Sequence, residues 1–200
     1  MFGHFIDCPV VGDQPLYLLP VCQADIPALT GWLNNPAVTR HINAPFARTP
    51  EMEMEWYYAT SIDPNVFRWS VWLGDRHVGQ LEINAIDWIA RTGEVTVLIG
   101  PKEMWGKGIA TRILIAQADF AFRSLNLTCL YLASCEANLG CVKAAKKAGY
   151  AEWGRQPYGR FAQGSHFKTW HAYIDRRTYE KSGNHLVDLA SNLLEKVKKA

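Results

Sequence analysis

The sequence predicts a mixed α/β fold of the α+β type: a central mixed, mostly antiparallel sheet with flanking helices and a C-terminal tail helix. Three observations carry this. Residues 67–99 hold three short extended stretches joined by connections too short for crossovers, which makes an antiparallel meander. Residues 109–174 alternate helical and extended patterns, which makes the sheet mixed. Two capped helical stretches precede the meander.

The elements follow in order. Leu16–Val21 is an apolar run that reads as the first strand. Asp25 stands before Ile26, Leu29, Trp32 and Leu33, a helical spacing with Asp25 as N-cap, and Asn34-Asn35-Pro36 stops it. Residues 36–48 read as an irregular loop with a short turn. Thr49-Pro50-Glu51 combines a hydroxyl cap, a proline at the first helical position and an acid in the first turn, and its helix runs to Thr60. The meander is Phe67–Leu73, closed by Gly74-Asp75, then His77–Ala85 and Glu94–Ile99. Within its middle strand Val78, Leu81, Ile83 and Ala85 are apolar, while Gln80, Glu82 and Asn84 share the other face. Ile109, Ile113, Ala116 and Phe120 space a helix with one buried stripe. Thr128–Ala133 is a strand, and Asn138–Ala148 is a helix capped by Asn138 and ended by Gly149. Tyr150–Trp153 and His166–Ile174 read as late strands around a polar, glycine-containing loop. Leu186, Leu189, Ala190, Leu193, Leu194 and Val197 make an amphipathic tail helix with Asn184 as cap.

Composition narrows the function classes. With 200 residues, 48% of them hydrophobic and 20% charged, the chain reads as one globular domain over 1–180 with a helical extension over 181–200. A net charge of +2 is too small for a general grip on nucleic acid. No stretch approaches the roughly 18 apolar residues of a membrane span, and the N-terminal segment lacks the pattern of a signal peptide. Five cysteines, an odd number with no CxxC pair, argue against a zinc site and for a cytoplasmic setting. The apolar stripe of the tail needs covering, by the domain, a second copy in a homodimer, or a partner.

The chemistry concentrates in Ile99–Thr111. A strand ends, a loop carrying Gly106 and Gly108 follows, and a helix begins at once. Glycines admit a ligand close to the backbone, and free N–H groups at a helix start favour phosphate. The pattern is neither GxxxxGK[ST] nor a GxGxxG after a first strand, so a P-loop is excluded and a dinucleotide fold disfavoured. A second capped helix, from Asn138, leaves the same edge of the sheet one helix and one strand later.

These residues resemble a known family. Glu94–Tyr150 is similar to the acetyl-CoA-binding core of the GNAT superfamily of N-acetyltransferases. It most resembles the branch that acetylates N-terminal Ala or Ser of ribosomal proteins. Trp105-Gly106-Lys107-Gly108-Ile109-Ala110-Thr111 and Asn138…Lys147-Ala148-Gly149-Tyr150 carry the likeness, with Trp32-Leu33-Asn34-Asn35-Pro36 upstream. The resemblance implies a GNAT-like sheet and transfer of an acetyl group from acetyl-CoA, with no metal, to a primary amine by direct attack within a ternary complex. It implies that the amides of Gly106, Lys107, Gly108, Ile109, Ala110 and Thr111 hold the pyrophosphate. Leu98 and Ile99 would pair with pantetheine like a further strand. Asn138 would bond pantetheine, and Lys143 would approach the nucleotide phosphates. This chain departs from the family twice. The helix serine near the thioester sulfur is Cys141, read as a tolerated small residue with a nucleophile as the alternative. The late strand also has no acid within His166–His171.

The base is left among Glu82 and Glu94, on central strands where an acid is seldom idle, with Glu136, His166 and His171 as further candidates. Against this stands a merely solvated face for Gln80, Glu82 and Asn84, and an edge-strand placement for the histidines. The acceptor is a protein N-terminus, amino sugar, polyamine or antibiotic. A polyamine site would prefer clustered acids, and Glu51, Glu53 and Glu55 are the only such run; against this they read as a solvated face. The competing class is a non-catalytic acyl-CoA sensor or interaction module.

Overall fold

The computed structural model describes residues 5–42, 46–162 and 164–182. Its strands are β1 (Ile6–Val11), β2 (Gln14–Pro20), β3 (Phe67–Leu73), β4 (Arg76–Asp87), β5 (Thr92–Ile99), β6 (Cys129–Cys135), β7 (Ala151–Ala162) and β8 (Ser165–Asp175). They form one eight-stranded sheet in the order β1-β2-β3-β4-β5-β6-β8-β7. Among these pairs only β5 with β6 is parallel. The helices are α1 (Ile26–Leu33), α2 (Pro36–Thr39), α3 (Pro50–Ser61), α4 (Ile109–Arg123), α5 (Leu139–Lys147) and α6 (Arg176–Ser182).

Local chemistry accounts for the helix starts. The Thr49 hydroxyl accepts from the Met52 N–H at 3.2 Å with Pro50 behind it, and Asn138 Oδ1 accepts from the Cys141 N–H at 3.2 Å. Asp25 departs from expectation. Its carboxylate does not cap α1; it is 4% exposed and accepts from the Cys22 N–H at 2.9 Å and from Ser70 Oγ at 2.6 Å. A tertiary partner on β3 has taken the group that the local sequence offered to the helix.

The sheet buries both faces of its centre. On one face Leu16, Leu18, Trp69, Val71, Leu81, Ile83 and Val95 meet the Ile113–Phe120 stripe of α4, with Trp69 and Phe120 edge to face at 5.3 Å. The other face lies under α1 and α3, where Val21, Ile26, Leu29 and Tyr57 form a smaller cluster. A register shift between Val71 and Trp72 opposite β4 explains why Val78 is buried together with Leu81, although strict alternation would separate them.

Several expectations are corrected. Strand β1 was not foreseen, because Pro9 interrupts its pattern; an edge strand tolerates this. The late loop does not exist as expected: β7 runs to Ala162 and forms a hairpin with β8. Strand β8 lies between β6 and β7, so His166 and His171 sit on an interior strand, not an edge. The polar face of β4 is not simply solvated: Gln80 and Glu82 are buried beside Arg68 of β3, whose guanidinium lies over Trp56 of α3, while Asn84 stays partly exposed. The tail helix over 186–197, with its cap Asn184, lies outside the described residues. No helix among those described is long and apolar enough to cross a membrane.

Candidate active site

The site is built where the parallel pair splays. Strands β5 and β6 pair from Thr92 with Cys129 to Val95 with Leu132, and there the ladder stops. Beyond it Val97, Leu98 and Ile99 pair only with β4, and Ala133 to Cys135 only with β8. Two parallel strands have separated at their C-terminal ends, and one backbone edge of β5 is left to face a cavity.

That cavity, of about 610 Å³, is lined by Leu98, Ile99, Gly106, Gly108, Ile109, Ala110, Thr111, Asn138, Cys141 and Lys143. The resemblance named these residues. Lys107 is the exception; its Nζ lies 3.8 Å from Met104 Sδ, outside the lining. Gly106 and Gly108 have φ of 76° and 79°, a left-handed conformation that favours glycine. Gly108 stands at the N-cap of α4 without a side-chain cap. Among the described residues, no backbone N–H from Gly106 to Thr111 donates to a protein acceptor. Six consecutive free donors at a helix start fit the diphosphate of a coenzyme A. The indole Nε1 of Trp105 donates to the Ile99 carbonyl at 2.8 Å and ties this loop to the end of β5. Asn138 spends Oδ1 on its helix, while Nδ2 has no partner among the described residues.

A second cavity, of about 380 Å³, meets the first at His41, Ile42, Val97, Leu98, Asn138 and Cys141. Its floor is the polar face of β4. Glu82 is 9% exposed, receives a 2.6 Å hydrogen bond from Gln80 Nε2, and has Arg68 Nε at 3.0 Å. The Arg68 contact is an ion pair whose angle falls short of a hydrogen bond. The guanidinium lies 3.2 Å over the Trp56 ring. Burial pushes the Glu82 carboxyl above its ordinary value, and Arg68 opposes this. From α3, Glu53 reaches the same cavity; it is 3% exposed, also raised by burial, and 3.7 Å from Arg48.

The structure separates the candidate bases. Glu82 lines the second cavity; Glu94 is exposed and lines neither. Glu136 accepts from the Lys168 N–H at 3.1 Å and pairs with Arg155, a structural use. Cys141 lies at the junction of the cavities, and burial holds its thiol above the ordinary value. Such a thiol stays protonated and is a poor nucleophile.

Sequence reasoning missed Arg48, Arg68, Arg160 and His41, and it read Glu53 with Glu51 and Glu55 as a solvated face. Glu53 is buried between exposed Glu51 and Glu55, and its spacing of four from buried Tyr57 was the available signal. His41 lies in a segment without periodicity; burial and Arg40 hold it below the ordinary histidine value, which keeps it neutral. Of the aromatics, Trp56 lines the second cavity and Trp69 is core, while Trp88 is largely exposed.

Comparison with known proteins agrees with this geometry. Residues 16–151 match the acetyltransferase (GNAT) domain family. The chain is 28% identical over 134 residues to the spermidine N(1)-acetyltransferase of Escherichia coli K12, covering 66% of this chain and 71% of that one. The corresponding enzyme of Vibrio cholerae is 28% identical over 102 residues, 51% of this chain and 58% of that one. The structure of a Vibrio cholerae spermidine N-acetyltransferase with CoA and spermine superposes with a TM-score of 0.76 at 24% identity, covering 82% of this chain and 97% of that one. A ribosomal α-N-protein acetyltransferase in complex with coenzyme A gives 0.74 at 14% identity, covering 84% and 97%.

Proposed function

The chain belongs to the GNAT acetyltransferase family, and from that premise we propose how its residues divide the reaction. It transfers an acetyl group from acetyl-CoA to a primary amine by direct attack. Acetyl-CoA, when bound, supplies the activated thioester. The N–H groups from Gly106 to Thr111 hold the diphosphate, the free edge at Leu98 and Ile99 aligns the pantetheine arm, and Asn138 Nδ2 donates to it. Lys143, on the cavity lining, adds charge near the phosphates. The observation that carries this reading is the run of unpaired donors opening onto an unpaired strand edge.

The acceptor enters by the second cavity. An amine near pKa 10 arrives protonated and must lose that proton. Glu82 takes it, directly or through one water, because burial makes this carboxylate more basic than an exposed one. Gln80 and Arg68 fix its orientation. A strand N–H at Leu98 or Ile99 faces the developing charge on the acyl oxygen. Cys141 stays a neutral thiol beside the departing sulfur. Glu94 has no step, being exposed and outside both cavities.

A small-molecule amine is favoured, since the matched relatives act on spermidine and the acceptor cavity measures about 380 Å³. A protein N-terminus has only fold likeness behind it. The acetyltransferase unit occupies residues 1–180 with 181–200 as an extension, and truncation after Tyr179 followed by mass measurement in solution tests whether that extension pairs two copies. The five free cysteines support a cytoplasmic setting. The test of the activity is incubation with acetyl-CoA and a panel of amines while free thiol is followed. Release on at least one amine is expected; coenzyme binding with no release on any would instead support a non-catalytic acyl-CoA sensor.

A further inference from the structure

The acceptor cavity carries a charge pattern that the proposed proton transfer does not use. Its lining holds the guanidiniums of Arg48, Arg68 and Arg160 against the carboxylates of Glu53 and Glu82. Two of the cations are matched: Arg48 lies 3.7 Å from Glu53 and Arg68 lies 3.0 Å from Glu82. Arg160 is not. It projects from β7, its Nε is buried, and it has neither a hydrogen bond nor an ion pair among the described residues. His41, at the junction, is held neutral. Among the described residues the cavity therefore presents one guanidinium in excess.

A buried donor left without a partner is costly, and a guanidinium is shaped to take two oxygens of a carboxylate or phosphate at once. We propose that the acceptor is a small primary amine that also carries an anionic oxygen group, and that Arg160 binds this group and so points the amine toward Glu82. A polyamine brings several cations to this lining and leaves Arg160 unmatched. The inference rests on the acceptor path proposed above.

The test compares kcat/KM for three kinds of acceptor: α-amino acids and amino-sugar phosphates, their counterparts lacking the anionic group, and spermidine. Anionic acceptors are expected to exceed their counterparts by about tenfold or more, the usual strength of a hydrogen bond to a charged group. Arg160→Gln should shrink that preference by raising KM for anionic acceptors, and Arg160→Lys should restore part of it. Carboxylate and phosphate arms identify which anion is taken. Thermal protection by acetyl-CoA checks that each variant is folded. Spermidine outranking every anionic acceptor, or Arg160→Gln lowering all acceptors alike, overturns the inference while leaving acetyl transfer intact. Release on no amine at all overturns both this and the acceptor path.

Discussion

Arg68 places its Nε 3.0 Å from the Glu82 carboxylate in a setting where both side chains are nearly buried. The contact opposes burial: the guanidinium favours the charged carboxylate and so limits how far burial raises that acid. The balance leaves the Glu82 carboxyl above its ordinary value, which suits the proposed role of a base stronger than an exposed carboxylate.

Removing the base should therefore be visible in both rate and pH profile. Glu82→Gln is expected to lower kcat/KM by at least about tenfold. In the parent enzyme, activity falls as pH drops and Glu82 gains a proton, and this limb lies above the ordinary carboxylate value of about 4.3. The limb should vanish in Glu82→Gln. Glu94→Gln should leave the rate near that of the parent. An unchanged limb in the first variant would exclude Glu82 as the base.

Arg68→Met gives the complementary sign. Without its partner the buried Glu82 is harder to ionise, so the acidic limb should move to higher pH. A rate loss with the limb unmoved would mean that Arg68 only supports the fold.

The proposed diphosphate cradle depends on bare backbone. Gly108→Asp introduces a β-carbon at a φ of 79°, against the Arg112 guanidinium, and a carboxylate among donors meant for phosphate. The Kd for coenzyme A should rise about tenfold or more, measured by titration calorimetry. Unaltered heat on titration would sink the cradle assignment.

Cys141 separates direct attack from a covalent route. Because burial holds its thiol above the ordinary value, alkylation near neutral pH should be slow. Cys141→Ser should retain turnover, and mass spectrometry after brief exposure to acetyl-CoA should find no acetylated protein. Loss of all turnover in Cys141→Ser would favour the nucleophile.

Gly100 tests the seam between sheet and α1. A β-carbon there would overlap the Trp32 ring, whose side chain also meets His77 at 4.8 Å. Gly100→Ala should cost about 1–3 kcal/mol through overpacking, read as a lower midpoint in urea or heat.

By itself the sequence determined what short-range physics controls. Thr49-Pro50 and Asn138 cap α3 and α5 because a hydroxyl or amide within three residues reaches the free N–H groups. The Gly106 and Gly108 loop pointed to the proposed anion site for the same local reason, and alternation located the meander. Tertiary structure decided the rest. Asp25 left its helix for Ser70 and the Cys22 amide. Glu53 turned inward while Glu51 and Glu55 stayed in solvent. Arg48, Arg68 and Arg160 arrived at one cavity from a loop and two distant strands. The choice between a solvated and a buried polar face rests on what packs above it. Nothing within β4 states that Arg68 of β3, with Glu53 and Trp56 of α3, will share a cavity with Glu82, because a residue's charge environment is set by neighbours in space rather than along the chain.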